Sequence, residues 1–288
     1  MQEDFHETEP SFTLTDSDIK GIEEDLEKGR EQAVKTAVSN LNASDCAELL
    51  EKVSEDHRQI LLDQHASVMD PDTFSELDSG LCKEALGDMD APQVTALISS
   101  MDSDDALDII ENLDPDFQKE IIRRLPIKTR ISIEEGLNFP ENSAGRLIQR
   151  EFVAIPQFWT VGETMDYLRK PSDDLPEFFS DLFIVTSDYQ VTGKVSLAHL
   201  VRAKSQIKLD SLVHEEIPSI PANMDQKEVA QLFRRDNLLS AAVVDAEARM
   251  IGIITIDDVV DVIDEEAQKD ILNLAGVKTP SIYHDVIS

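Results

Sequence analysis

From residue 77 onward, apolar positions return every twelve residues: Leu77, Met89, Met101, Leu113, Leu125 and Leu137, with Asp78, Asp90, Asp102, Asp114 and Pro126 directly after the first five. An apolar residue followed by a turn-prone one ends a short helix and caps the next, as in Met101-Asp-Ser-Asp-Asp-Ala-Leu-Asp-Ile-Ile, Leu113-Asp-Pro-Asp-Phe and Leu125-Pro-Ile-Lys. Upstream, Ile19, Ile22 and Leu26 form a helical stripe that Ser17 or Asp18 can cap. A helix of about eight residues cannot bury its apolar face alone. The units over 17–137 must therefore stack as a superhelix of short α-helices. Residues 1–16 are acidic and poor in apolar side chains, and read as a disordered or loosely attached lead.

Phe139-Pro-Glu-Asn-Ser-Ala-Gly-Arg-Leu-Ile148 breaks the period with turn residues, so 138–150 reads as a hinge or linker. The text then alternates strands with helices, and a second repeat appears. Val153–Pro156 is echoed by Pro218–Pro221, Val161–Arg169 by Gln226–Arg234, Phe183–Thr186 by Ala242–Asp245, and Gly193–His199 by Gly252–Asp258. The copies span 151–212 and 213–262, the first with an insertion around Lys170 to Phe179. Each predicts a strand, a helix, two strands joined by a polar turn, and a helix. Two such copies pack sheet to sheet in an α+β module. Met250 to Ile256 reads as a buried strand running into a long helix whose apolar positions are Val260, Ile263, Ala267, Ile271 and Leu274.

Between those positions lie Asp257, Asp258, Asp261, Asp264, Glu265, Glu266 and Asp270, with Lys269 the only cation. Like charges three or four residues apart on a helix repel by a few tenths of a kcal/mol per pair. A hard divalent cation such as Mg²⁺ would relieve them; a solvated acidic face is the alternative. Charge over the whole chain sharpens the choice: 26 Lys and Arg against 59 Asp and Glu give a formal net charge of −33 on 288 residues. That balance disfavours nucleic acid and anionic lipid as direct partners and favours cations or basic surfaces. Cys46 and Cys82 are too few for a disulfide framework. The N-terminus lacks the basic start of a signal peptide, and no apolar run approaches the roughly 20 residues that cross a bilayer. The expectation is a soluble, intracellular chain.

The duplicated strand followed by Gly-x-x-Ser/Thr-x-x-Asp resembles a tandem pair of cystathionine-β-synthase (CBS) domains, in which this signature binds adenine nucleotides. Its hydroxyl caps the next helix beside a phosphate-sized gap, and its Asp accepts from ribose hydroxyls. The second copy carries Gly252, Thr255 and Asp258 in full; the first has Gly193 and Ser196 but His199 in place of Asp. Ser196 and Thr255 are thus nucleotide candidates.

An acidic short-helix repeat, the Phe139-Pro-Glu-Asn-Ser-Ala-Gly-Arg linker and tandem CBS repeats running into an acidic helix together resemble the cytosolic part of the MgtE family of magnesium channels and transporters. The resemblance implies a helical superhelix, a tandem CBS pair, and over 263–288 the start of a connecting or "plug" helix leading to a membrane pore that this sequence does not include. It implies a CBS-mediated homodimer at the cytoplasmic face of a membrane, and Mg²⁺ ligands matching Asp104, Asp225, Asp258, Asp261, Glu266 and Asp270. Lys227, Asn237 and Lys269 stand where the family usually places ligands. Each of the six aspartates and glutamates also has an ordinary reading as a helix cap or solvated side chain.

No His or Cys pair has zinc spacing, no phosphate-binding glycine loop is present, and no Ser/His/Asp set stands in a nucleophile context, so the reading is not an enzyme. Three functions remain: a Mg²⁺-sensing gating module, an adenine-nucleotide sensor with a solubilising acidic face, and a ligand-free dimerisation adaptor.

Overall fold

The computed structural model describes residues 14–170, 175, 176, 178–213 and 218–274, with the side chains of 265, 268, 270 and 272–274 excluded. It divides into two compact units, 1–101 with 105–133, and 102–104 with 134–288.

The first unit is built from helices α1 (Asp16–Glu27), α2 (Glu31–Val38), α3 (Ala43–Lys52), α4 (Glu55–His65), α5 (Ser79–Asp88), α6 (Ala91–Ile98), α7 (Ser103–Asn112), α8 (Pro115–Arg124) and α9 (Ile127–Leu137), of which 103 and 104 in α7 and 134–137 in α9 count with the second unit. Thr15, not Ser17 or Asp18, caps α1: its hydroxyl accepts from Asp18 N while Asp18 Oδ2 accepts from Thr15 N at 3.0 Å. The reciprocal pair satisfies two of the helix's orphan donors at once. Leu14, just before it, is buried.

The twelve-residue device works as the sequence suggests. Leu77, Met89, Met101, Leu113 and Leu125 are all buried, and Met89 and Leu125 sit at the extended position that stops α5 and α8. The chain turns there, puts the apolar side chain inward and starts the next helix behind Asp90 in the one case and Pro126 in the other. Asp90 accepts from Gln93 N at 2.9 Å in a full capping box. The phase also runs back through Leu41 and Val53 to His65, each twelve residues apart. Asn42 and Ser54 are the caps that follow the first two. His65 thus stands where an apolar residue is expected; it is buried, and burial holds its imidazole below the usual pKa.

The second unit holds two three-stranded sheets of identical topology. In the first, β1 (Ala154–Pro156) runs parallel to β2 (Asp181–Val185), which pairs antiparallel with β3 (Val191–Ser196). In the second, β4 (Ser219–Pro221), β5 (Ser240–Val244) and β6 (Met250–Thr255) repeat that order, even to the register shift, at Ile184/Val185 and Val243/Val244. Helices α10 (Val161–Leu168) and α11 (Leu197–Arg202) complete the first copy; α12 (Gln226–Asp236) and α13 (Ile256–Leu274) complete the second. Phe183, Val185, Ala242, Met250 and Ile253 form one core between the copies. Equivalent positions meet there: Ser240 Oγ donates to Asp181 Oδ2 at 2.9 Å, and Lys194 Nζ donates to the same oxygen at 2.8 Å. Trp159 stacks edge-on against Tyr167 and packs on the first copy's core.

The apolar face of α13 differs from the one expected. Val259 and Val262 are buried, whereas Ile256, Val260, Ile263 and Ile271 are exposed; the side chain of Leu274 lies outside the described set. Two adjacent stripes compete on this helix, and packing against α12 selects the one through 259 and 262.

The segment read as a hinge is fastened rather than loose. Ala144 N and Gly145 N donate to Met224 O and Ala222 O, both at 2.7 Å, and Arg146 donates to Phe139 O at 2.9 Å and Leu137 O at 3.2 Å, capping the end of α9. A Cβ on Gly145 would lie 2.6 Å from Phe139 Cδ1 and 2.7 Å from its Cβ. Gly145→Ala is therefore expected to cost about 1–3 kcal/mol by overpacking. Gly21, mid-helix in α1 with nothing within 4 Å of a built Cβ, is expected to gain about 0.5–1 kcal/mol as alanine. Urea midpoints of the two variants should move in opposite directions.

Candidate metal centre

Thr255 ends β6 and precedes α13. Its backbone N–H and its hydroxyl both donate to Asp258 Oδ2, at 3.3 Å and 2.9 Å, and the hydroxyl also meets Asp257. Asp258 is the third residue of the helix, and its carboxylate, reaching back to Thr255 N, fixes the strand-to-helix corner. Asp104 occupies the first turn of α7, groups with the second unit and is only 8% exposed. The Asp104 carboxyl lies near enough to Asp258 to act on it by hydrogen bonding, and Asp104 Oδ1 is buried. Burial pushes the Asp258 carboxyl up to about 6, and the neighbouring Asp257 charge adds to the rise; the bonds from Thr255 and Asp104 pull against it.

A hydrogen bond between two carboxyl groups needs a proton shared between them. Near neutral pH the pair thus holds either a proton or more negative charge than its surroundings stabilise. That is the chemistry of a site for a hard cation: two carboxylate oxygen donors, placed by two helix starts 154 residues apart in sequence, with room in the coordination shell for water. The residues fit Mg²⁺ on this ground. Among the described residues no three His, Cys, Asp or Glu side chains group closely enough to hold an ion by themselves.

The other sequence candidates lie apart from the pair. Asp225 is exposed and caps α12, its Oδ1 accepting from Lys227 N at 2.9 Å. Asp261 is exposed further along α13. Glu266 is engaged by Lys227 at 2.5 Å and Lys269 at 3.3 Å, and hydrogen bonding from Lys227 holds its carboxyl below the usual range. The side chain of Asp270 lies outside the described residues. Asn237 has a backbone reason to be asparagine: it closes α12 in the left-handed conformation, φ 51° and ψ 46°, which asparagine tolerates better than most residues.

The nucleotide candidates serve as caps. Ser196 Oγ accepts from His199 N at 3.2 Å to start α11, as Thr255 starts α13. Space beside the signature glycines is taken by the chain itself: a Cβ on Gly193 would strike Val213, and one on Gly252 would strike Ile148 and lie 2.7 Å from Gln149 O. The glycines are thus explained by close packing without a ligand.

Sequence reasoning passed over Ser103, Gln149 and Glu151, which tie down the residues just before Asp104. Ser103 Oγ donates to Glu151 Oε2 at 2.9 Å, and Gln149 Nε2 donates to Asp102 Oδ2 at 2.5 Å. Nothing periodic links partners 47 or 48 residues apart.

Family comparisons agree with this architecture. Residues 41–142 match the model of the MgtE intracellular N domain, and 209–265 match the CBS domain. The chain is 31% identical over 157 residues to the magnesium transporter MgtE of Thermus thermophilus, covering 54% of this chain and 35% of that protein. It is 32% identical over 150 residues to the MgtE of Enterococcus faecalis, covering 52% and 33%. The chain spans about a third of the length of these curated relatives, which are transporters rather than enzymes. Its fold matches the crystal structure of the soluble part of a magnesium transporter, with a TM-score of 0.76 and 24% identity over 87% of this chain and 98% of the other. It also matches the cytosolic domain of the Mg²⁺ channel MgtE in complex with ATP, with a TM-score of 0.78 and 25% identity over 85% and 99%. No described helix is long and apolar enough to cross a membrane.

The raised pKa of Asp258 sets a pH dependence. Since the folded value lies above the ordinary 3.8, the group's stabilising contribution is complete below that and is lost as pH rises through about 6. Asp258→Asn carries a permanently neutral side chain. In EDTA, the melting temperature of the native protein is therefore expected to fall relative to Asp258→Asn between about pH 4 and pH 6 and to run parallel above it. A difference curve that is flat across this range, or that slopes the other way, would place the Asp258 carboxyl in the ordinary range.

Proposed function

We propose that this chain, with its MgtE N domain and CBS pair, is the cytosolic Mg²⁺-sensing regulatory module of a magnesium channel or transporter. The observation that carries the reading is the meeting of buried Asp104 with half-buried Asp258. When bound, Mg²⁺ would supply the positive charge that lets both carboxylates ionise together. Asp258 holds its place through Thr255, and Asp104 through the start of α7. At high cation concentration acidic surfaces of the N domain, CBS pair and plug helix are bridged and the pore closes; at low concentration their repulsion releases it. Asp225, Asp261, Glu266 and Asp270 remain proposed secondary ligands, of which Glu266 already has two lysines for counter-ions.

The module would sit at the cytoplasmic face of the membrane, joined to the pore domain of the same protein, and act as a homodimer. Support for the dimer comes from the exposed stripe Ile256, Val260, Ile263 and Ile271, together with exposed Val201 and Leu239. Apolar side chains recurring along one helix face are a common mark of a protein contact. Light scattering in EDTA is expected to give a dimer at micromolar concentration; a monomer would remove this part of the proposal.

A second reading, adenine-nucleotide sensing through Ser196 and Thr255, is favoured by the likeness to an MgtE cytosolic domain solved with ATP. It predicts that nucleotide alone raises the melting temperature.

Bridging differs from screening, so millimolar Mg²⁺ is expected to compact the chain and protect it from protease more than KCl of equal ionic strength. Asp104→Ala and Asp258→Ala should each remove most of that protection. The double mutant should add little to either single mutant in Mg²⁺, giving a large coupling that vanishes in EDTA. Equal, additive losses in both buffers would return the two aspartates to helix capping, worth about 1 kcal/mol each.

A further inference from the structure

Residues 148–151 are bonded to the two segments that carry the carboxylate pair, to Asp102 and Ser103 beside Asp104 and to Ile253 in the strand before Asp258. Gln149 joins β6 through two backbone bonds with Ile253, N donating to O at 2.9 Å and O accepting from N at 3.0 Å, five residues before Asp258. Its side chain reaches the other way, Nε2 donating to Asp102 Oδ2 at 2.5 Å. Glu151 Oε2 gathers three donors: Ser103 N at 3.2 Å, Ser103 Oγ at 2.9 Å and Arg150 N at 3.1 Å. Arg150 N also donates to Ser103 Oγ at 2.8 Å, and its guanidinium pairs with Glu135 at 2.8 Å.

The first turn of a helix has donors that its own backbone cannot satisfy, and an anion there is stabilised by the helix dipole. In α7 that anion is Glu151, supplied from 48 residues away, while Asp102 is engaged by Gln149. Ser103, the residue on which these bonds converge, is 9% exposed and adjoins Asp104. One short segment therefore fixes the strand that leads to Asp258 and the helix start that carries Asp104.

We infer that Glu151 and Gln149 are positioning residues for the Asp104–Asp258 pair, bracing the two carboxylates opposite each other before a cation arrives. The inference rests on the metal reading given above. Ordering the ligands in advance lowers the entropy lost on binding, so the brace sets the cation affinity while the two aspartates set whether a cation binds at all. Outer partners of metal ligands commonly change affinity 10–100-fold without touching the metal.

The test is a Mg²⁺ titration of the 288-residue chain, read by protease protection, together with peptide-level hydrogen exchange in EDTA. Glu151→Ala is expected to raise the Mg²⁺ midpoint on the order of tenfold while reaching the native plateau. Glu151→Gln, which keeps an acceptor oxygen, should recover most of the shift, whereas Asp104→Ala should reach no plateau. In EDTA, Glu151→Ala should lose exchange protection at 102–106 and 148–151 and keep it in β2, β3 and β5. If Glu151→Ala does not fold, Gln149→Ala, which leaves Glu151 and the backbone bonds to Ile253 in place, carries the same expectation. A native midpoint in the folded variant overturns the brace. Should the native protein itself show no response to Mg²⁺, the metal reading falls, and exchange still decides the brace: unchanged protection at 102–106 overturns it.

Discussion

Two carboxyl groups drawn together, one buried and one half-buried, set the constraint on which the start of α13 and the start of α7 depend. Asp104 and Asp258 repel when both are charged, and burial makes that repulsion harder to screen. A fold that relieved the conflict by separation would have to undo the cap at the end of β6 or the start of α7. The structure retains both, so relief comes from a proton or, on the function proposed above, from a metal ion. This makes the state of the pair depend on solution conditions while the CBS sheets around it stay fixed by ladders and an apolar core.

Much of the fold was legible because it is written in repetition. The apolar residue followed by an aspartate marks the end of one helix and the start of another, and the physics acts on neighbours in sequence. The period was visible only from Leu77, since upstream its phase falls on His65, a residue that does not read as apolar, and two short 3₁₀ turns, Ala66–Val68 and Pro71–Phe74, intervene. The CBS copies were legible from matched offsets, and the structure repeats them down to the register shift. On α13 the wrong stripe was chosen, because Val259 and Val262 and their neighbours Val260 and Ile263 satisfy the same helical period. Only the partner helix distinguishes them.

The candidate site divides along the same line. Asp258 as a helix cap follows from local spacing, and Thr255 confirms it. The meeting of Asp258 with Asp104 does not follow from local spacing; it came from resemblance to a family. Ser103, Gln149 and Glu151 had neither signal, as their bonds span 47 or 48 residues and their residue types are ordinary. Conversely, Asn237 looked like a lost ligand and is explained by backbone conformation, and Gly193 and Gly252 looked like nucleotide glycines and are explained by Val213, Ile148 and Gln149.

Helix α13 differs in electrical character between its start and its middle. Near its start the Asp258 carboxyl, pushed up by burial, is poorly reached by dissolved salt. Eight residues after Asp258, Glu266 is paired with Lys227 of α12, 58% exposed, and with Lys269 of its own helix, 44% exposed, so ordinary monovalent salt weakens its tie to α12. Monovalent salt therefore acts on the middle of the helix, loosening its seat on α12, and leaves the Thr255–Asp258 corner at its root in place. A rise in ionic strength would soften the one grip without moving the other, so the two contacts of a single helix are separable by salt alone.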